Sequence, residues 1–311
     1  MSMGIVIAAV TAETGDGDPL ERAAAAARRA MATARIGPHQ VDALINTGGR
    51  PGSQFTGEAV SALIGRRAGI GDSPRADGLP CLTIDLYDGP ASILQAVQVA
   101  HALLHTPAIH RVLLVSGDDR PAKSPPRPDF PAAAAILLEH HPNHAIGFTT
   151  LHVSAESAAE GGTGAPAAGR FAAGPQTDSD TGASDDDGPP AGAPRPQSAG
   201  HAAVPVEELL GHAVSAASEA LEVAGVPVAR AVLICGGSAP GFAALLAGRL
   251  GIAADAVRAG DAVGGAPGSA LPVAYLAALD SGRLADADVA LFVAAGPGAA
   301  AAAIAYRLPK P

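Results

Sequence analysis

Short apolar runs alternate with longer segments of helical spacing along most of this chain. The first run, GIVIAAV at 4–10, reads as a buried strand. Pro19 to Ile36 is Ala-rich and turns Arg22, Arg28 and Arg29 to one side, which predicts a helix. Val41 to Ile45 reads as a strand, Gly57 to Ala68 as a helix and Leu79 to Leu86 as a strand. Pro90 then stands where a first helical residue belongs, because its missing N–H has no partner within the helix at that place. The helix it opens runs to about Leu104. Strands follow at 111–118 (RVLLVSGD) and 132–139 (AAAAILLE), and Ile146 to Ser154 extends the pattern or leads out of it.

Residues 155–203 differ in kind. They are mostly Ala, Gly, Ser, Pro and Asp, with Phe171 as the one aromatic. Such a segment buries too little to offset its ordering entropy, which predicts a disordered loop. The pattern resumes with an amphipathic helix, Val206 to Ala224, and a strand at 231–236. Helices follow at 242–251 and 269–282, then strands at 288–296 and 299–308. The expected organisation is a first half, 1–154, the loop 155–203 and a second half, 204–311. Strands alternating with helices predict an α/β chain whose sheet is mostly parallel and covered on both faces.

The two halves repeat. SILQAVQVAHALL is followed by RVLLVSGD and AAAAILLE; SALPVAYLAALDSG is followed by DVALFVAAG and AAAAAIAYRL. Both read helix, strand, strand, with the last two strands expected to pair as a hairpin.

Composition narrows the function classes. Aromatics are 3% of the 311 residues and Trp is absent, so Ala, Val and Leu must fill the core. A net charge of −10 provides no basic footprint for nucleic acid or an anionic membrane. No apolar run reaches the roughly 18–20 residues that span a bilayer. The N-terminal stretch lacks a basic region and reads as a strand, not a signal peptide. Two cysteines, Cys81 and Cys235, are too few for a disulfide framework or a zinc site, and the expectation is two buried thiols in the cytoplasm.

Two similar α/β halves in this order resemble the thiolase fold. In its details the chain resembles the β-ketoacyl-acyl-carrier-protein synthase III family within that fold. LTIDLYDGPASILQAVQVAHALL resembles that family's strand, turn and helix, in which an Asp-Leu strand end is followed by the nucleophilic Cys. HRVLLVSGDD resembles the next strand. GDAVGGAPGSALPVAYLAALDSGRLADADVALFVAAGPGAAAAAIAYRL resembles the C-terminal end, with its Gly-rich turn, Pro272, the SGRL corner and a final hairpin. The resemblance implies a thiolase-like fold of layered sheets and helices.

It also implies a catalytic Cys, His and Asn. The Cys acts at a helix N-terminus, where dipole and free N–H groups stabilise the thiolate and an oxyanion. Carried over by position, the Cys falls on Pro90, the His on Gly236 and the Asn on Gly265. There is no Cys between Asp85 and Gln95, no His after His212 and no Asn in GDAVGGAPGS, so a slip of register restores none of the three. Proline cannot be acylated, and glycine offers no side-chain proton or donor. In active relatives the first strand–helix loop also carries groups for coenzyme A; here it is TAETGDGDP.

Other candidates are weaker. Ser92 lies near the helix start without an adjacent base and reads as packing. Cys235 adjoins the His position and ends a buried strand. Tyr87 and Asp88 lie at the nucleophile turn, and some thiolase-like aldolases use Tyr as acid or base. His140, His141 and His144 have no neighbouring Cys and read as a solvated loop, not a metal site. The Gly-rich stretches at 48–53 and 260–268 match no phosphate-binding spacing and read as turns.

The resemblance thus implies a degenerate ketosynthase III-like subunit in fatty-acid or polyketide biosynthesis, with no cofactor. Its expected partner is an active ketosynthase in a heterodimer, otherwise a second copy, with an acyl carrier protein as a further partner. The family's two-fold seam falls on Cys81, Thr83, Asp85 and Leu86. The alternative is a thiolase-fold acyltransferase or aldolase acting on acyl thioesters through Tyr87 and Asp88.

Overall fold

The computed structural model describes residues 3–14, 18–48, 58–71, 75, 78–87, 91–118, 131–155, 204–236, 241–260, 268–296 and 300–310. The first sheet is built from β1 (Gly4–Thr14), β2 (Ala43–Asn46), β3 (Leu82–Asp85), β4 (Arg111–Gly117) and β5 (Pro131–His141), in the order β1-β5-β4-β2-β3. β2 pairs in parallel with β3 and β4, whereas β5 is antiparallel to both β4 and β1. The second sheet holds β6 (Gly147–Phe148), β7 (His152–Ala155), β8 (Ala231–Gly236), β9 (Val257–Gly260), β10 (Val289–Gly296) and β11 (Ala300–Arg307). There β8 is parallel to β9 and β10, and β11 is antiparallel to β10, β6 and β7. The sheets are therefore mixed and not mostly parallel. In each half a helix is followed by two strands that pair antiparallel, β4–β5 and β10–β11, which is the repeat read from the sequence.

Helices form three layers around the two sheets. α1 (Pro19–Thr33) and α2 (Val60–Arg67) cover the outer face of the first sheet through a core of Ala23, Ala27, Leu44, Ile64 and Leu113. α4 (Val206–Ala224) and α5 (Phe242–Leu250) cover the outer face of the second through Leu210, Leu233, Phe242, Leu246 and Leu291. α3 (Ser92–Leu104) and α6 (Ala270–Asp280) lie between the sheets. A helix enclosed by two sheets needs apolar side chains on most sides, which explains why α6, ALPVAYLAALD, shows little amphipathic contrast.

Several expected boundaries move. β1 continues through Thr11–Thr14, because β5 offers it a partner along its whole length, with a bulge between Ile7 and Ala9. β5 correspondingly reaches His141, so His140 and His141 belong to a strand end paired with Ile5 and Gly4 rather than to a loop. α1 stops at Thr33, α2 starts at Val60 and β3 is confined to 82–85. Residues 146–154 neither extend the first sheet nor leave the fold: β6 and β7 cross over and pair with β11. β9 has no counterpart in the expectation. The segment expected to be a disordered loop lies almost wholly outside the described residues.

The sparse aromatics are concentrated. Phe148, Tyr275, Phe292 and Tyr306 meet in the central layer, with ring centroids 4.7 Å apart for Phe148–Tyr306 and 5.2 Å for Tyr275–Phe292. Among Ala-rich elements, these four large rings supply much of the side-chain volume of the core between the sheets.

Candidate functional site

The ends of β2 and β4 from the first half meet the beginnings of α3 and α6. Parallel strands carry their C-terminal ends to one edge, the usual position of a site in such sheets. Thr47, just past β2, is 4% exposed; its N–H and hydroxyl both donate to the Val115 carbonyl, at 2.8 and 3.2 Å. Its carbonyl accepts a hydrogen bond from Ser92 Oγ at 3.1 Å. Ser92 is fully enclosed at the first turn of α3, consistent with the packing role expected of it.

Asp118, just past β4, holds the other half. Its Oδ2 accepts the Ser269 N–H at 2.8 Å, at the entry to α6. A carboxylate at a helix N-terminus meets orphan N–H groups and the positive end of the helix dipole. Burial nevertheless dominates and pushes the Asp118 pKa up, with hydrogen bonds from Ser269, Gly268 and Ser116 opposing it. Gly268 fits into the same junction. A Cβ there would overlap Ser116 Oγ and come within 2.9 Å of the Thr47 carbonyl oxygen, so only glycine brings α6 this close to the first sheet.

The positions inferred from the family divide. Gly236 ends β8 and is described: a Cβ on it would lie 3.2 Å from Leu271 Cγ, so α6 already crowds the place of a side chain. Pro90, Gly265 and Asp88 lie outside the described residues. Cys235 is enclosed in β8, and burial pushes its pKa up to about 12. A thiol so placed stays protonated, and it is the thiolate that attacks. Cys81 is half-buried, and burial raises its pKa to about 11. No grouping of three His, Cys, Asp or Glu suited to a metal ion occurs among the described residues, His140, His141 and His144 included.

Asp85 has a definite task. Its carboxylate accepts the Val60 and Ser61 N–H groups, both at 2.8 Å, and the Asn46 side-chain amide at 3.0 Å. It thereby caps α2, while Asn46 Nδ2 also lies 3.5 Å from the phenol oxygen of Tyr87. Tyr87 is 39% exposed. Cys81, Thr83, Asp85 and Leu86 lie on or beside β3, the last strand of its sheet, whose outer edge has no strand partner among the described residues. Leu79 and Leu82 stand exposed along it, at 52% and 41%.

Sequence reading did not single out Thr47, Ser116, Asp118, Gly268 or Ser269. The available signal was polar residues at strand ends (NTG, VSGD) and at a helix start (GSA). Nothing local pairs Asp118 with Ser269, which are 151 residues apart.

Comparison of the sequence with protein-family models and with curated proteins finds no match. Solved structures do match, over nearly the whole chain. The 3-oxoacyl-[acyl-carrier-protein] synthase III of Aquifex aeolicus superposes with a TM-score of 0.66 at 16% identity, covering 99% of this chain and 98% of its own. The chain has the thiolase-like fold of the ketosynthase III enzymes. A priming β-ketosynthase of a polyketide biosynthetic pathway gives 0.70 at 16% identity, covering 100% and 98%. OleA of Xanthomonas campestris gives 0.67 at 14% identity, covering 98% and 99%.

Proposed function

We propose that this chain is a ketosynthase III-like subunit that has given up Cys-dependent condensation and pairs with an active ketosynthase in fatty-acid or polyketide biosynthesis. One observation carries the reading: the chain matches a ketosynthase structure over its whole length, yet it has no Cys between Asp85 and Gln95, no His after His212 and no Asn in GDAVGGAPGS, the stretches to which the resemblance assigns the family's Cys, His and Asn at Pro90, Gly236 and Gly265. The exposed edge of β3 supports it. An open edge with Leu79, Leu82 and Tyr87 along it is a template for strand pairing, which isolated proteins normally blunt.

The experiment is gentle capture of the tagged chain from its native host, followed by native mass measurement. A stoichiometric complex with a chain bearing intact Cys, His and Asn is expected. A clean homodimer overturns the heterodimer.

A second reading has its own observation. It is an acyltransferase or aldolase using Tyr87 and Asp88, supported by the accessibility of Tyr87, whose phenol oxygen lies 3.5 Å from Asn46 Nδ2. Turnover of an acyl thioester that disappears in Tyr87→Phe would establish it.

A further inference from the structure

A second set of reactive side chains lies on the outer face of the second sheet, where α4 meets β7. β7 is the outermost strand beside β11, and α4 packs over it. Its residues alternate: His152 and Ser154 are part-buried and meet α4, whereas Val153, 60% exposed, turns away. On α4, His212, Ser215 and Glu219 follow one another at the helical spacing that keeps them on one face. Two cross-pairs result. Ser154 Oγ lies 2.9 Å from His212 Nδ1, and His152 Nδ1 lies 3.3 Å from Glu219 Oε2. His152 Nε2 is buried without a hydrogen-bond partner among the described residues.

We propose that Ser154 and His212 form a nucleophile–base pair that takes up an acyl group from an activated ester or thioester. The geometry matches the requirement of that chemistry: a hydroxyl within hydrogen-bond reach of an imidazole nitrogen, both part-buried and not sealed. In the first step Ser154 Oγ attacks the carbonyl carbon and His212 Nδ1 takes the hydroxyl proton. The bond from the carbonyl carbon to the leaving sulfur or oxygen then breaks, and the leaving group departs with that proton. Water, activated by the same nitrogen, returns the acyl group as the carboxylic acid and restores Ser154. Among the described residues β7 pairs only with β11, so alternate N–H groups along its outer side have no strand partner there and can serve a developing oxyanion. His152 and Glu219 fasten β7 to α4 one step along the strand and hold Ser154 over His212. This centre is separate from the α3–α6 junction and does not depend on the subunit reading.

The test treats the full-length protein with a fluorophosphonate probe and with p-nitrophenyl acetate, followed by peptide mass spectrometry. Label on Ser154 is expected, absent in Ser154→Ala. His212→Gln is expected to slow labelling by about 10²-fold, the usual contribution of a general base. Ser154→Cys, retaining a nucleophile at the same place, restores acylation. Melting curves of each variant identify any that fails to fold; Val153→Ala, on the opposite face, serves as the matched control. A folded wild-type chain that takes no label on Ser154, or label that is undiminished in folded His212→Gln, overturns the proposal.

Discussion

The Tyr306 phenol oxygen accepts a hydrogen bond from the Ile7 N–H at 3.2 Å, joining the last strand of the second sheet to the first strand of the first. The register of β1 against β5 slips between Ile7 and Ala9, and this irregularity leaves the Ile7 N–H available. Tyr306 is 2% exposed and stacks within the aromatic group. Tyr306→Phe retains the ring and leaves the Ile7 N–H unpaired, at an expected cost of about 1–3 kcal/mol. Tyr306→Ala also opens a cavity, at about 3–5 kcal/mol. Denaturant unfolding of the two variants separates the hydrogen bond from the ring.

Asp118 links stability to pH. Its folded pKa is raised, chiefly by burial, so the folded state binds its proton more tightly than the unfolded chain. The stabilisation is therefore complete below the unfolded value and is lost as pH rises from there through the folded value. Asp118→Asn, neutral at every pH, is expected to melt at a similar temperature to wild type near pH 3.5. It should melt higher at pH 8. Melting temperatures at several pH values decide this; a gap that widens toward acid reverses the assignment.

The β3 edge is a test of assembly. Leu82→Lys places a charge on a side chain already 41% exposed, so the fold should shift by no more than about 0.5 kcal/mol. The mass of the native complex, measured by light scattering after size exclusion, is expected to fall to that of the single chain. An unchanged mass would remove β3 from the seam.

The thiols should differ in reactivity. Cys235 is fully enclosed and pushed up to about 12, and Cys81 is part-exposed at about 11. Iodoacetamide at pH 8 is expected to modify Cys81 slowly and Cys235 only after unfolding. Native-state alkylation of Cys235 would reopen its candidacy as a nucleophile.

What the sequence disclosed follows interaction range. α3 with β4 and β5, and α6 with β10 and β11, were legible because hydrophobic period and turn residues are local. The extension of β1 past Val10 was not, since Thr11 to Thr14 become strand only through their partners on β5. β6 and β7 escaped for the same reason: GF and HVSA have no pattern of their own and take their geometry from β11. The mixed sheets were implicit in the two predicted hairpins, each of which forces antiparallel strands into its sheet. At the site, Gly236 was placed by position along the chain. Asp118 and Gly268 acquire meaning only when α6 is laid against β4.

The crossing of β6 and β7 has a consequence for how the molecule holds together. The chain of the first half contributes strands to the sheet of the second before running into residues 156–203. A proteolytic nick within that stretch would release nothing: the N-terminal fragment would stay laced to the second sheet through β6 and β7 on β11. Coexpressed fragments split there are two pieces of one clasp, able to reassemble without a covalent tether.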